Sequence, residues 1–291
     1  MWRAIVLSLS LCLLCAERVT AAQDLAGATP LACGNLVTLA AHAGSTMRYS
    51  WLPGQKPADT IGNVALILLV GGPGTLDLDE TGCPHHLNGN ILVRAAPLWR
   101  AAGLTTVLVD APSDWAGDEG LAGFRIEPAH AQDLARVIHD VRRRTGASAV
   151  WLIGHSRGTL SVANAAARLH GDDAPDGVVL ASAMLSGEAA RRKPWAAQTV
   201  FDTGVKDFTG ALLLLGHVAD NCTRSLPQLM DAMGQGAKSA RLQVARLSGG
   251  PRSTGRAPSL AGCEVHEAHD YVEQDTEFAA SVLRFITGGT F

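Results

Sequence analysis

The sequence predicts a three-layer α/β fold with a mostly parallel central sheet, and three observations carry that prediction. Short unbroken apolar runs recur along the chain, the pattern of strands covered on both faces. Stretches of helical periodicity fall between them. The alternation of the two persists through most of the 291 residues, which puts helices on both faces of a parallel sheet.

Taken in order, Leu36–Ala41 and Met47–Leu52 read as an antiparallel pair of edge strands around His42-Ala43-Gly44-Ser45. Val64–Val70 is the first buried strand, Ile91–Ala102 a helix and Thr105–Val109 the next strand. An amphipathic helix over Ala129–Arg144 leads to the strand Ala149–Ile153 and a helix of small residues, Arg157–Leu169. Then come the strand Val178–Ala181, an irregular stretch over Ser186–Lys206, the strand Ala211–Leu215 and a helix near Ser225–Met233. The strand Arg241–Leu247, a long loop over Ser248–Pro258 and a last helix, Thr276–Ile286, complete the chain. The Ser186–Lys206 insert, basic at Arg191-Arg192-Lys193, is too short for a separate cap domain, and no linker divides residues 22–291, so one domain is expected.

Composition excludes several partners. With 24 Lys+Arg against 27 Asp+Glu the net charge is −3, which gives no basic excess for nucleic acid or an anionic lipid surface. Aromatics at 5% weaken any base-stacking platform. Residues 1–21 read as a signal peptide: Arg3, an apolar stretch Ala4–Ala16, then small residues before a cut after Ala21 or Ala22. The stretch is shorter than the about 20 residues of a spanning helix, so a periplasmic or secreted protein without stable membrane insertion is expected. Leucine before Cys12 and Cys15 argues against a lipoprotein cut. Removing the signal leaves Cys33, Cys83, Cys222 and Cys263, an even set that suits disulfides in an exported protein. These four allow three pairings; Cys33–Cys83 with Cys222–Cys263 is favoured because the second would join the two loops holding the candidate acid and base.

The chemistry centres on Gly154-His155-Ser156-Arg157-Gly158, directly after one expected strand and directly before a helix. A serine at the tip of such a turn sits in strained backbone, needs small neighbours, and projects its hydroxyl at a helix N-terminus. It needs a histidine base and an orienting carboxylate, which in this architecture follow in the order serine, acid, histidine. Asp220 follows the late strand; Asp202 and Asp207 precede it and lie at the wrong end. His269 is preferred to His266 as base because it is nearer the last helix. His155 fills a variable position of the turn, His217 ends a strand, and Asp110 and Asp114 are read as structural. For an oxyanion, Arg157 offers one N–H and the loop Gly71-Gly72-Pro73-Gly74 the other; Pro73 has none, so Gly72 comes first and Gly74 second. A dinucleotide reading of that loop fails because the third glycine of the fingerprint would fall at Asp77. No CxxC pair or Cys/His cluster suggests zinc, and the adjacent His85-His86 chelates poorly, so no metal is expected.

Together these residues resemble an exported bacterial member of the α/β-hydrolase superfamily, from about Val64 to Ile286, without a large cap domain. The stretches Asn90-Ile91-Leu92-Val93-Arg94, Asp110-Ala111-Pro112-Ser113-Asp114 and Asp220-Asn221-Cys222 are similar to a subgroup of secreted hydrolases of poorly defined substrate. That subgroup suggests His269 as base and the nearby disulfide; a glycine commonly follows its catalytic histidine, where this chain has Asp270. The resemblance implies a cofactor-free serine hydrolase that forms an acyl-enzyme on Ser156, with a small-molecule carboxylic ester as first choice of substrate. A proline-iminopeptidase-like aminopeptidase, suggested by the glycine-rich loop, and a non-catalytic binding protein on the same fold are the alternatives.

Overall fold

The computed structural model describes residues 33–55, 62–188, 193–250, 256–264 and 266–291. The expected signal segment, the basic pair Arg191-Arg192 and residues 251–255 of the long loop lie outside them. Eight strands form one sheet: β1 Asn35–Ala40, β2 Thr46–Leu52, β3 Val64–Leu69, β4 Thr105–Val109, β5 Ala149–His155, β6 Gly177–Ala181, β7 Ala211–His217 and β8 Arg241–Leu247. Their order is β1-β2-β4-β3-β5-β6-β7-β8. β1 and β2 run antiparallel, and β3 to β8 are parallel. Only β1 of the first pair is an edge strand: Tyr49 to Leu52 of β2 also pair with Val109 to Thr106, so β2 is interior, contrary to the sequence expectation.

The helices α1 Ile91–Ala101, α2 Pro128–Thr145, α3 Gly158–Arg168, α4 Met230–Gly234 and α5 Asp275–Ile286 flank this sheet. The pleat divides β3 between two cores: Ala65, Ile67 and Leu69 face α2 and α3 through Leu134, Val137 and Leu160. Val64, Leu66 and Leu68 join Ile91 and Trp99 of α1 and Phe278 and Phe285 of α5. That two-sided burial is why the strand reads as an unbroken apolar run. Local chemistry sets several helix ends: Asn90 Oδ1 accepts the Leu92 N–H (3.1 Å) before α1, Pro128 opens α2, and Gly146 closes it at φ 65°. The expected helix over Ser225–Met233 is shorter. Leu226, restrained by the following Pro227, stays extended at ψ 124°, and Ser225 is left outside any helix.

β5 and β7 outlast their apolar runs by two residues each, carrying Gly154-His155 and Gly216-His217 to the carboxyl rim of the sheet. The described part of the Ser186–Lys206 insert forms only short 3₁₀ turns at Pro194–Ala197, Val200–Thr203 and Val205–Asp207. Disulfides join Cys33 to Cys83 and Cys222 to Cys263; the second ties the loop after β7 to the segment before α5. Among the described residues, no helix is long and apolar enough to cross a membrane.

α3 lies against the end of β3 with no room for a side chain between them: a Cβ on Gly158 would stand 1.9 Å from the Leu69 carbonyl oxygen. Gly158→Ala is therefore expected to lower the unfolding free energy by about 3 kcal/mol. Gly117→Ala, where nothing lies within 4 Å, should stay within about 0.5 kcal/mol of the parent in the same urea titrations.

Candidate active site

Ser156 occupies the turn between β5 and α3 with φ 53°, a left-handed conformation that costs a serine about 1–3 kcal/mol. Three glycines make room for it. A Cβ on Gly154 would meet the Gly158 carbonyl oxygen at 2.6 Å, and one on Gly71 would meet Ser156 Cβ at 2.8 Å. The turn is fixed by the Ser156 N–H donating to Ala181 O (2.9 Å) and by the Thr159 N–H (3.0 Å) and Oγ1 (2.6 Å) donating to Ser156 O.

His269, in the 3₁₀ turn Ala268–Asp270, is 1% exposed and its Nε2 lies 2.9 Å from Ser156 Oγ. Its Nδ1 faces Asp220 Oδ2 at 3.1 Å. Asp220 follows β7 and is oriented by the Cys222 N–H, which donates to Oδ1 at 2.9 Å. The competing residues are elsewhere engaged: His266 is exposed, Asp202 caps the turn at Thr199, and Asp207 pairs with Lys238 at 2.7 Å. A fourth side chain, Ser225, stands within 2.7 Å of Asp220 Oδ2 and 2.8 Å of His269 Nδ1. Asp220, Cys222 and His269 also converge closely enough for a metal ion, but the Cys222 sulfur is held in the disulfide and offers no thiolate.

The backbone of His269 is clamped as firmly as its ring. Ser182 Oγ donates to the His269 carbonyl at 2.7 Å, and His155 Nε2 donates to the same oxygen at 3.0 Å. Because that oxygen only accepts, His155 carries its proton on Nε2; its Nδ1 receives the Asn90 side-chain amide at 2.9 Å. Burial pushes the His155 pKa down to about 4, which keeps the ring neutral at ordinary pH. Asp270 fastens the other side: Oδ1 accepts the Ile91 N–H at 3.1 Å and Oδ2 pairs with Arg94 Nη1 at 2.7 Å. Thus the aspartate standing where the resembling subgroup has glycine anchors the histidine loop to the start of α1. The sequence reading assigned His155 no such role.

Gly72, at φ 54°, and Arg157 each present an N–H that has no partner among the described residues. The Gly74 N–H, the second choice from sequence, donates to Gly71 O at 3.1 Å inside its own turn. Beneath this loop Arg125, 1% exposed, donates to Val70 O and Gly72 O (both 3.2 Å) and to Ser161 Oγ (2.9 Å). Burial, reinforced by the charge of Arg157, pushes its pKa well down. No sequence signal marked it. Asp110 holds the rest of the loop, accepting N–H groups from Leu76 (2.7 Å), Leu78 (3.0 Å) and Ala111 (2.9 Å), and Asp114 pairs with His42 at 2.9 Å. The Arg157 guanidinium stacks 4.0 Å from the centre of the Trp195 ring, whose Nε1 donates to Glu119 at 3.0 Å. Such a set, a hydroxyl in contact with an imidazole, a carboxylate behind it and free N–H groups beside it, has the components for nucleophilic acyl transfer.

No protein-family model matches the chain, and no curated protein matches it. Solved structures do. A lidless α/β serine hydrolase from Xanthomonas campestris is 18% identical, covers 87% of this chain and 93% of its own, and superposes with a TM-score of 0.51. Est1E from Butyrivibrio proteoclasticus, with ferulic acid bound, is 15% identical over 86% of this chain and 97% of its own, with a TM-score of 0.57. An esterase from Pyrococcus furiosus is 12% identical over 87% and 93%, with a TM-score of 0.55. At these identities the likeness shows the fold, which is that of the α/β hydrolases.

Two expectations follow from the clamp. His155 is held near pKa 4 in the folded state against roughly 6.5 when unfolded. As pH falls below about 6.5 the unfolded chain takes up the proton first, so stability present at neutral pH is lost down to about pH 4, by about 3 kcal/mol from this ring. Urea titrations across that window should show the fall, and His155→Gln should flatten it by about that amount. Asp270→Gly breaks a buried pair with Arg94 and should destabilise by about 3 kcal/mol in the same assay at pH 7, although it restores the residue usual in the resembling subgroup.

Proposed function

We propose that this protein is an exported serine hydrolase that cleaves small carboxylic esters through an acyl-enzyme on Ser156. The observation that carries the reading is the contact chain Ser156 Oγ, His269 Nε2, His269 Nδ1, Asp220 Oδ2, with steps of 2.9 Å and 3.1 Å, mounted on a strained strand-to-helix turn. Ser156 Oγ attacks the acyl carbon while its proton passes to His269 Nε2. The oxyanion is received by the N–H groups of Gly72 and Arg157. His269 returns the proton to the departing alkoxide, and Asp220 supports the imidazolium in between. Water, deprotonated by the same nitrogen, then attacks the acyl-enzyme and frees the acid and Ser156.

An ester is preferred to an amide because an alkoxide leaves more readily than an amine. The described insert is a set of short turns with no helical cap to receive a peptide amine, and the likeness to a protein described as an esterase supports the same choice. Gly71-Gly72-Pro73-Gly74 keeps the aminopeptidase reading as the second one. Export through the 1–21 segment is part of the proposal and agrees with two disulfides in one domain.

A fluorophosphonate probe should label the parent protein and not Ser156→Ala; an unlabelled parent beside a labelled control hydrolase argues for the non-catalytic alternative. On p-nitrophenyl acetate, His269→Ala should lose about 10³-fold or more in kcat, and His266→Ala should stay within about twofold. Turnover confined to aminoacyl-p-nitroanilides selects the aminopeptidase.

A further inference from the structure

We infer that Ser225 is a positioning residue for His269, a second acceptor that holds the imidazole proton on Nδ1 alongside Asp220; the inference rests on the serine-hydrolase reading. The nearest acceptor to His269 Nδ1 is the Ser225 hydroxyl at 2.8 Å, ahead of Asp220 Oδ2 at 3.1 Å. The Ser225 hydroxyl lies 2.7 Å from Asp220 Oδ2, and a carboxylate only accepts, so the Ser225 proton points to Asp220 and its lone pair is left for the Nδ1–H. All three side chains are buried, with Ser225 at 3% exposure, so water does not replace either bond. Ser225 is free to take this place because Leu226, ahead of Pro227, keeps it out of the helix, and its N–H donates to Cys222 O at 3.1 Å within the loop closed by the disulfide.

A neutral imidazole is a base at Nε2 only while its proton stays on Nδ1. During attack the Ser156 proton moves to Nε2; the Nδ1 proton stays in place, shared between Ser225 Oγ and Asp220 Oδ2, and the Ser225 proton remains on Ser225. Nothing passes through Ser225. Its work is to hold the ring's tautomer and angle, which two acceptors fix better than one.

The test is a mutant cycle on p-nitrophenyl acetate, with thermal melts to establish that each variant folds. Ser225→Ala should lower kcat about tenfold with KM within about twofold, and Ser225→Thr, which keeps the hydroxyl, should recover most of the loss. In Asp220→Asn the Cys222 N–H keeps the amide oxygen at the Oδ1 position, so an NH2 faces Ser225, the Ser225 proton loses its acceptor and Ser225 no longer takes the Nδ1–H. Adding Ser225→Ala there should cost a smaller factor than in the parent. An equal or larger factor, or a Ser225→Ala kcat within about twofold of the parent, overturns the inference. If Ser156→Ala or His269→Ala keeps parental turnover, the hydrolase reading itself falls, whatever Ser225 does.

Discussion

Ser156 holds φ 53° because main chain crowds it where Cβ atoms would not fit, and the surrounding molecule is arranged around that crowding. Gly154 and Gly158 let β5 turn sharply into α3, and Gly71 lets the loop after β3 pass against the serine side chain. The approaches of Gly158 to Leu69 and of Gly71 to Ser156 require β3 and β5 to be neighbours in register, as Leu69 and Gly154 are. The sheet order is thereby coupled to one residue's backbone. Strain of this size persists only where the neighbours over-determine it, and here the buried two-sided sheet supplies that rigidity.

The second partner in the contact chain comes from a less regular part of the fold, a 3₁₀ turn after a long loop. Its position relies on individual polar contacts. The His269 carbonyl takes two donors, Asp270 takes an arginine and a backbone N–H, and the Cys222–Cys263 bridge draws the acid and base loops together. Several of these groups are buried and polar, so each lost partner leaves a desolvated atom unpaired. The neutral His155 is suited to this place: a charged ring with its centre 5.2 Å from that of His269 would oppose an imidazolium at His269.

The fold was legible because strands buried on both faces spell continuous apolar runs, and the glycines of the turn at Ser156 are needed locally. Chain order after β7 pointed to Asp220, and nearness to the last helix, not order, preferred His269 to His266. What escaped depends on distance along the chain. Asn90 meets His155 across 65 residues, His155 meets His269 across 114, and Arg94 meets Asp270 across 176. A periodicity window spans about 11–18 residues and carries no trace of such contacts. The interior position of β2 is of the same kind: whether an antiparallel strand ends the sheet or joins β4 is decided by pairing, not by its own composition. Ser225 was hidden by a local conflict, a helix-like pattern interrupted by the restraint that Pro227 imposes on Leu226.

Arg125 shows how the loop beside Ser156 combines geometry with field. The Gly74 N–H bonded to Gly71 O fixes the plane of the Gly71–Gly72 peptide, and in a trans peptide the Gly72 N–H then points the opposite way from that carbonyl. Arg125 takes the carbonyls on either side, at Val70 and Gly72, so all three successive peptides have their orientation set. Arg125 Nη2 donates to both of those oxygens while Nη1 binds Ser161, so one planar guanidinium ties the loop after β3 to α3. Burying that charge opposes folding. In return a positive centre sits under the N–H groups where negative charge would gather in acyl transfer, a term that grows as water is excluded and needs no rearrangement at the moment of reaction.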